Sequence, residues 1–191
     1  MLIKTRIALL VYSCCCLMSA DVAAVNLHGV NFPETLSTGD QRLQLNGYGT
    51  RTYGLFRNKI YVAALYLQAK SDSHQEILNS TSIKQIKMRY MRNIDQSDMR
   101  RGWIHYFEEN CVDGDCSAYQ AEIDQFQAMV IAATKTDDYD YIFYHDKVEI
   151  RVNDQVYGII HGIDFSRLLL STWIGDKPPT RALKEGLLGD V

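Results

Sequence analysis

Residues 59–67, KIYVAALYL, constrain the fold more than any other stretch of this chain. Read as a strand, the segment places Ile60, Val62, Ala64 and Tyr66 on one face and Tyr61, Ala63, Leu65 and Leu67 on the other. Both faces are apolar, so the strand must be covered on both sides. Just before it, LNGYGTRTYGLF at residues 45–56 sets Arg51 among Tyr53, Leu55 and Phe56. Arg51, Tyr53 and Leu55 share a face by the two-residue period of strands. A guanidinium in such company is costly unless an anion or a rich set of hydrogen bonds meets it. The partner is either another side chain or a ligand.

The remaining periodicity surrounds this strand with others. Residues 29–36, 42–45 and 50–56 read as strands, the first two separated by the turn-forming Ser37, Thr38, Gly39 and Asp40. Residues 71–80 give a short helix, and 82–91 a strand in which Ile86, Met88 and Tyr90 alternate with Gln85, Lys87 and Arg89, so that one face meets solvent. From Asp95 the period changes: Met99, Trp103, Tyr106, Phe107 and Asn110 recur at helical spacing behind a cap at Asp95 or Ser97. A second helix turns Ile123, Phe126 and Val130 inward. Strands at 139–144, 147–152 and 155–160 form a meander, the last two joined tightly at Asn153 and Asp154. Asp164 is a candidate cap for a closing helix with Phe165, Leu168, Leu169 and Trp173 on its apolar face, stopped by Gly175 and Pro178, and Thr180 opens a last short helix. Strands and helices fall in blocks, which predicts an α+β class with a mostly antiparallel sheet packed by helices on one face.

The chain begins with Lys4 and Arg6, an apolar run over residues 7–18, and small residues ending at Ala20 or Ala24. That is the layout of a secretory signal peptide, with an apolar run too short for a permanent membrane span. Residues 1–24 are therefore expected to be removed, leaving one domain at 25–191 in the periplasm or outside the cell, without a transmembrane segment. Removal takes away Lys4, Arg6 and Asp21, one net positive charge, and turns the formal charge of -3 into -4. It also takes Cys14, Cys15 and Cys16, so that Cys111 and Cys116 remain, bracketing a Val-Asp-Gly-Asp turn. In an oxidising compartment the two are expected to pair as a staple; redox chemistry would want a C-x-x-C spacing.

Several function classes drop out. A mildly acidic chain whose basic residues cluster only at Arg100 and Arg101 does not suit nucleic acid. The five histidines show neither H-x-H nor H-x-x-x-H spacing, which argues against a metal site, and no cofactor is implied. Gly47 and Gly49 imitate a dinucleotide loop, but Thr52 stands at the third glycine and no βαβ unit surrounds it, so they read as a turn. No G-x-S-x-G elbow appears, and the segment around Asp113 to Asp115 is too short for an EF-hand.

What remains is Arg51 and Tyr61 on neighbouring strands, with Trp103 and Asn110 two turns apart on one helix. If that helical stripe faces the strands, the four form an apolar pocket with a few convergent polar groups, the usual anatomy of a small-molecule site. The structural alternatives are an arginine that snorkels or pairs with an acid, a tryptophan that is simply core, and an asparagine that supports the Cys111 turn.

The ordered set GYGTR, KIYVAALYL, the W-x6-N-C helix segment and the close FSRLLLSTWIGDKPPTRALKEGLLG resembles the chalcone isomerase family, in particular its exported bacterial chalcone-isomerase-like branch, over residues 29–189. The resemblance implies an open-faced β-sandwich, a large antiparallel sheet with helices on one face and a ligand cleft between them. It implies that Arg51 lines this cleft, as the arginine after the G-x-G segment does in the plant isomerases. Tyr61 matches the tyrosine of the plastid fatty-acid-binding relatives, where arginine and tyrosine grip a carboxylate. The isomerases carry a catalytic tyrosine seven residues before the asparagine of ENC; here Asn110 is kept and Trp103 stands in the tyrosine's place. An indole supplies no phenol oxygen. The expectation is thus a non-catalytic protein that binds a small amphiphilic carboxylate such as a fatty acid. The alternatives are an intramolecular lyase, with Arg51 steadying a phenolate and Asn110 orienting substrate, and a structural or interaction protein without ligand.

Overall fold

The computed structural model describes residues 23–189; all but the end of the expected signal peptide lies outside them. In chain order the elements are β1 (Ala24–Leu27), β2 (Val30–Pro33), β3 (Thr35–Thr38), β4 (Gln41–Tyr53), β5 (Asn58–Leu67), α1 (His74–Asn79), β6 (Lys84–Tyr90), α2 (Gln96–Asn110), α3 (Gln120–Met129), β7 (Asp138–Phe143), β8 (Lys147–Val152), β9 (Gln155–His161), α4 (Ile163–Ile174) and α5 (Arg181–Leu188). Strands β3 to β9 form one seven-stranded sheet in sequence order, every pairing antiparallel. β1 and β2 make a separate hairpin.

β5 is covered on both faces. Tyr61, Ala63, Leu65 and Leu67 join the main core with Trp103, Phe107, Phe126, Phe165, Leu169 and Trp173 from the helices. Val62, Ala64 and Tyr66 face the other way into a smaller core with Val30, Phe32, Leu43 and Leu45, closed by the β1–β2 hairpin. Helices therefore cover one face and a hairpin covers part of the opposite one.

Four local expectations are corrected. The stretch 29–36 is two strands in different sheets, and 42–45 and 50–53 merge into the single β4, with 54–56 in the turn that follows it. Gly47 and Gly49 are not a turn: they sit inside β4 where α5 crosses it, and a Cβ on Gly47 would lie 2.2 Å from the Gly186 carbonyl oxygen. On β6 the second face is not turned to water. Gln85 is buried, accepting from Thr38 Oγ1 at 2.8 Å and donating to Asp140 at 2.8 Å, while Lys87 reaches the same carboxylate at 3.1 Å. The curl of the sheet brings β3 over this polar row. Finally, Gly162 caps α4, with Asp164 inside the first turn bound by Arg167 at 3.1 Å.

Other local signals act as read. Asn153 and Asp154 both have positive φ, 49° and 65°, as a two-residue hairpin of matching twist demands. Thr180 accepts from the Leu183 amide and so caps α5. Cys111 and Cys116 are joined by a disulfide with Cα atoms 5.4 Å apart, closing the turn after α2. No helix among the described residues is long and apolar enough to cross a membrane.

Candidate functional site

Register builds the site. Arg51 on β4 lies opposite Tyr61 on β5, and Tyr61 lies opposite Tyr90 on β6. Directly opposed residues of antiparallel strands point to one face, here the helix-covered one. The tyrosine rings continue the row edge to face, Tyr61 to Tyr90 at 5.9 Å and Tyr90 to Tyr139 at 5.2 Å. α2 crosses above it, because its apolar stripe of Met99, Trp103 and Phe107 must be buried against the sheet.

Between the row and the helix lies a cavity of about 560 Å³, within the size range of small-molecule sites. Its walls are mostly apolar, with Ile60, Met88, Met99 and Trp173 among them, and Arg51, Tyr61 and Trp103 all line it. Trp103 is wedged at the inner end, with ring centroids 4.9 Å from Phe126 and 5.3 Å from Trp173. Arg92, Arg101 and His105 join the lining with Asp95 and Asp98, and Asp98 is already held by Arg101.

Arg51 is only partly buried. Its guanidinium donates to the Tyr106 hydroxyl and lies 5.3 Å from the centre of that ring and 5.9 Å from that of Tyr53. No ion pair among the described residues includes it. A guanidinium has five N–H donors, and one neutral phenol leaves most of them available for a bidentate acceptor. Burial raises the pKa of the Tyr61 phenol, with Arg51 opposing the rise, and at neutral pH the group stays protonated and can donate. Burial raises Tyr90 in the same way.

The geometry thus brings together three of the four residues singled out in the sequence, and separates the fourth. Asn110 is not in the cavity lining. Its amide donates to the carbonyls of Tyr106 at 2.9 Å and Lys177 at 3.1 Å, tying the end of α2 to the loop after α4. Leu55 also leaves the Arg51 face, since β4 ends at Tyr53 and Leu55 sits in the exposed turn that follows. Tyr106, Tyr90 and Trp173 are among the cavity residues that the sequence did not single out as candidates. Tyr106 carried a usable signal, being three residues beyond Trp103 on the same helical stripe.

The family model described as chalcone isomerase-like matches residues 24–189. No curated protein matches the chain. Among solved structures, 38 chains match. One is the crystal structure of a fatty-acid binding protein of Arabidopsis thaliana, 14% identical, with a TM-score of 0.74 over 88% of this chain and 97% of that one. At that identity the likeness concerns the fold, which is the curled antiparallel sheet with helices described above. With the family model spanning nearly all of the described residues, the chain belongs to the chalcone isomerase-like family.

Proposed function

We propose that the protein is an exported, non-catalytic binder of a small amphiphilic carboxylate such as a fatty acid. The observation that carries this reading is Arg51: a guanidinium on the wall of an apolar cavity, hydrogen-bonded to a neutral phenol and paired with no acid among the described residues. A carboxylate entering the cavity neutralises it through a charge-assisted pair of bonds. Tyr61 adds a protonated hydroxyl, and Trp103 with Trp173, Met88 and Ile60 offers the surface for an alkyl tail. The fatty-acid binding protein of the same fold lends support, as does the lack of a phenol at Trp103. Export is supported by the leader-like residues 1–24 and by a disulfide, which persists in oxidising compartments.

The test is a titration with palmitate followed by intrinsic tryptophan fluorescence, which Trp103 and Trp173 at the cavity make sensitive. Arg51→Ala is expected to weaken binding by about 1.5 to 3 kcal/mol, the usual worth of a hydrogen bond to a charged group. Equal affinity in the two proteins would remove Arg51 from the role. Native mass spectrometry of gently purified protein is expected to reveal a co-purifying carboxylate lipid.

A further inference from the structure

We propose that the tip of the β4–β5 hairpin docks on an anionic lipid bilayer and brings the mouth of the cavity to the membrane surface. The hairpin turn, residues 54–57, closes on a 3.0 Å bond from the Arg57 amide to the Gly54 carbonyl, with Gly54 and Arg57 at positive φ. This turn holds Leu55 and Phe56 almost entirely in water, 93% and 86% exposed, beside Tyr53 at 67%. Single exposed apolar side chains are ordinary, but three within four residues at the apex of a projecting turn form a patch that needs an apolar counterpart.

The charges behind the tip identify that counterpart. Arg51, Arg57, Lys59 and Arg92 gather at this end of the sheet, Arg92 brought there because the Met91 amide bonds to the Ile60 carbonyl at 2.8 Å. None of the four is in an ion pair among the described residues. Lys59 meets only an imidazole, with Nζ 3.1 Å from His28 Nδ1. In a chain of net charge -3, a local excess of unpaired cations behind an apolar wedge runs against the general balance. It complements a surface with apolar depth and anionic phosphates in front of it, where the wedge enters the acyl boundary and the cations stay at the headgroups. A second copy of this chain is a poorer fit, since joining two tips would crowd both sets of cations together. Arg51, Tyr53 and Ile60 belong to the hairpin and also line the cavity, so docking sets the cavity mouth against the lipid. The inference goes beyond the ligand reading, and membrane binding succeeds or fails whatever the cavity holds.

The experiment is sedimentation of the full exported chain with vesicles of phosphatidylglycerol in phosphatidylethanolamine, compared with phosphatidylcholine alone. Binding is expected to the anionic vesicles, weaker to the neutral ones, and to fall as salt is raised. The double variant Leu55→Ser, Phe56→Ser should bind about tenfold or more weakly. Arg57→Gln with Lys59→Gln should lose about thirtyfold on anionic vesicles. All four side chains are exposed, so the melting temperatures should stay as they are. Absence of binding to anionic vesicles, or equal binding by wild type and both variants, overturns the proposal. So does self-association by sedimentation velocity that depends on Leu55 and Phe56 while vesicle binding does not.

Discussion

Alanine placed at two helical glycines should change stability in opposite directions. Relative to glycine, alanine gains about 1 kcal/mol in a helix interior, from propensity alone. At Gly102, on α2, a Cβ finds nothing within 4 Å, so Gly102→Ala should collect that gain in full. At Gly186, on α5, the added Cβ would stand 2.4 Å from the Tyr48 carbonyl oxygen and 3.3 Å from the Gly49 Cα, both backbone atoms of β4 that cannot swing away. An ordinary contact begins at 3.4 Å, so α5 must lift by about an ångström. That lift loosens Leu183 and Leu187, both fully buried, and strains the 2.9 Å bond from Asn46 to the Leu187 carbonyl. Overpacking of this kind costs about 1 to 3 kcal/mol, and complete loss of the two leucines about 1.5 to 3 kcal/mol each. With about a third of that leucine burial lost, roughly 1 to 2 kcal/mol, and the propensity gain subtracted, Gly186→Ala should destabilise by roughly 1 to 4 kcal/mol. Urea unfolding followed by circular dichroism reads both, as opposite shifts in midpoint at an unchanged slope. A neutral or stabilising Gly186→Ala would mean that the helix does not press on β4 as described.

Replacing Cys111 and Cys116 by serine should lower stability by about 2 kcal/mol, the low end for a short loop, read as a lower urea midpoint that added reductant no longer changes. Lys84, buried on β6, has its pKa lowered to about 8, chiefly by burial and then by Arg167. Between about 8 and its ordinary value the unfolded chain holds the proton that the folded chain has released, so this site's contribution to stability rises with pH over that window. Wild type should gain on Lys84→Met between pH 7.5 and 10, and parallel melting curves would refute the assignment. Chalcone incubated with the protein should lose its visible absorbance no faster than spontaneously, because Trp103 offers no oxygen at the isomerase tyrosine's position; a faster loss would restore the lyase alternative.

Much of the fold was legible because burial imposes a period on sequence. β8 falls at residues 147–152 as read, and the α2 stripe of Met99, Trp103 and Phe107 turns inward as read, since each pattern is the direct imprint of one covered face. Arg51, Tyr61 and Trp103 come together for the same reason, each fixed by the face its neighbours require. What escaped involves groups whose sequence signature is ambiguous. A glycine reports only that a side chain is missing, and Gly47 serves the approach of α5 as readily as it would a turn. Gln85 alternates like a solvent-facing residue, yet the curl of the sheet hands it Thr38 and Asp140, partners 47 and 55 residues away. Asn110 shares the helical stripe of Trp103, but a position at the last turn of α2 draws its amide to nearby carbonyls.

β5 is a partition between two oily compartments, and this limits how the protein can vary. Its odd-numbered side chains, Tyr61 to Leu67, belong to the room that contains the cavity, while Val62, Ala64 and Tyr66 furnish the room behind the hairpin. A larger residue at Ala63 intrudes on the first, and one at Ala64 dislodges the second. Reshaping the cavity for a different guest can therefore come from the helices above or from floor side chains such as Tyr61, Met88 and Tyr90, but not from a shift of the strand itself, which would disturb the packing on its reverse side.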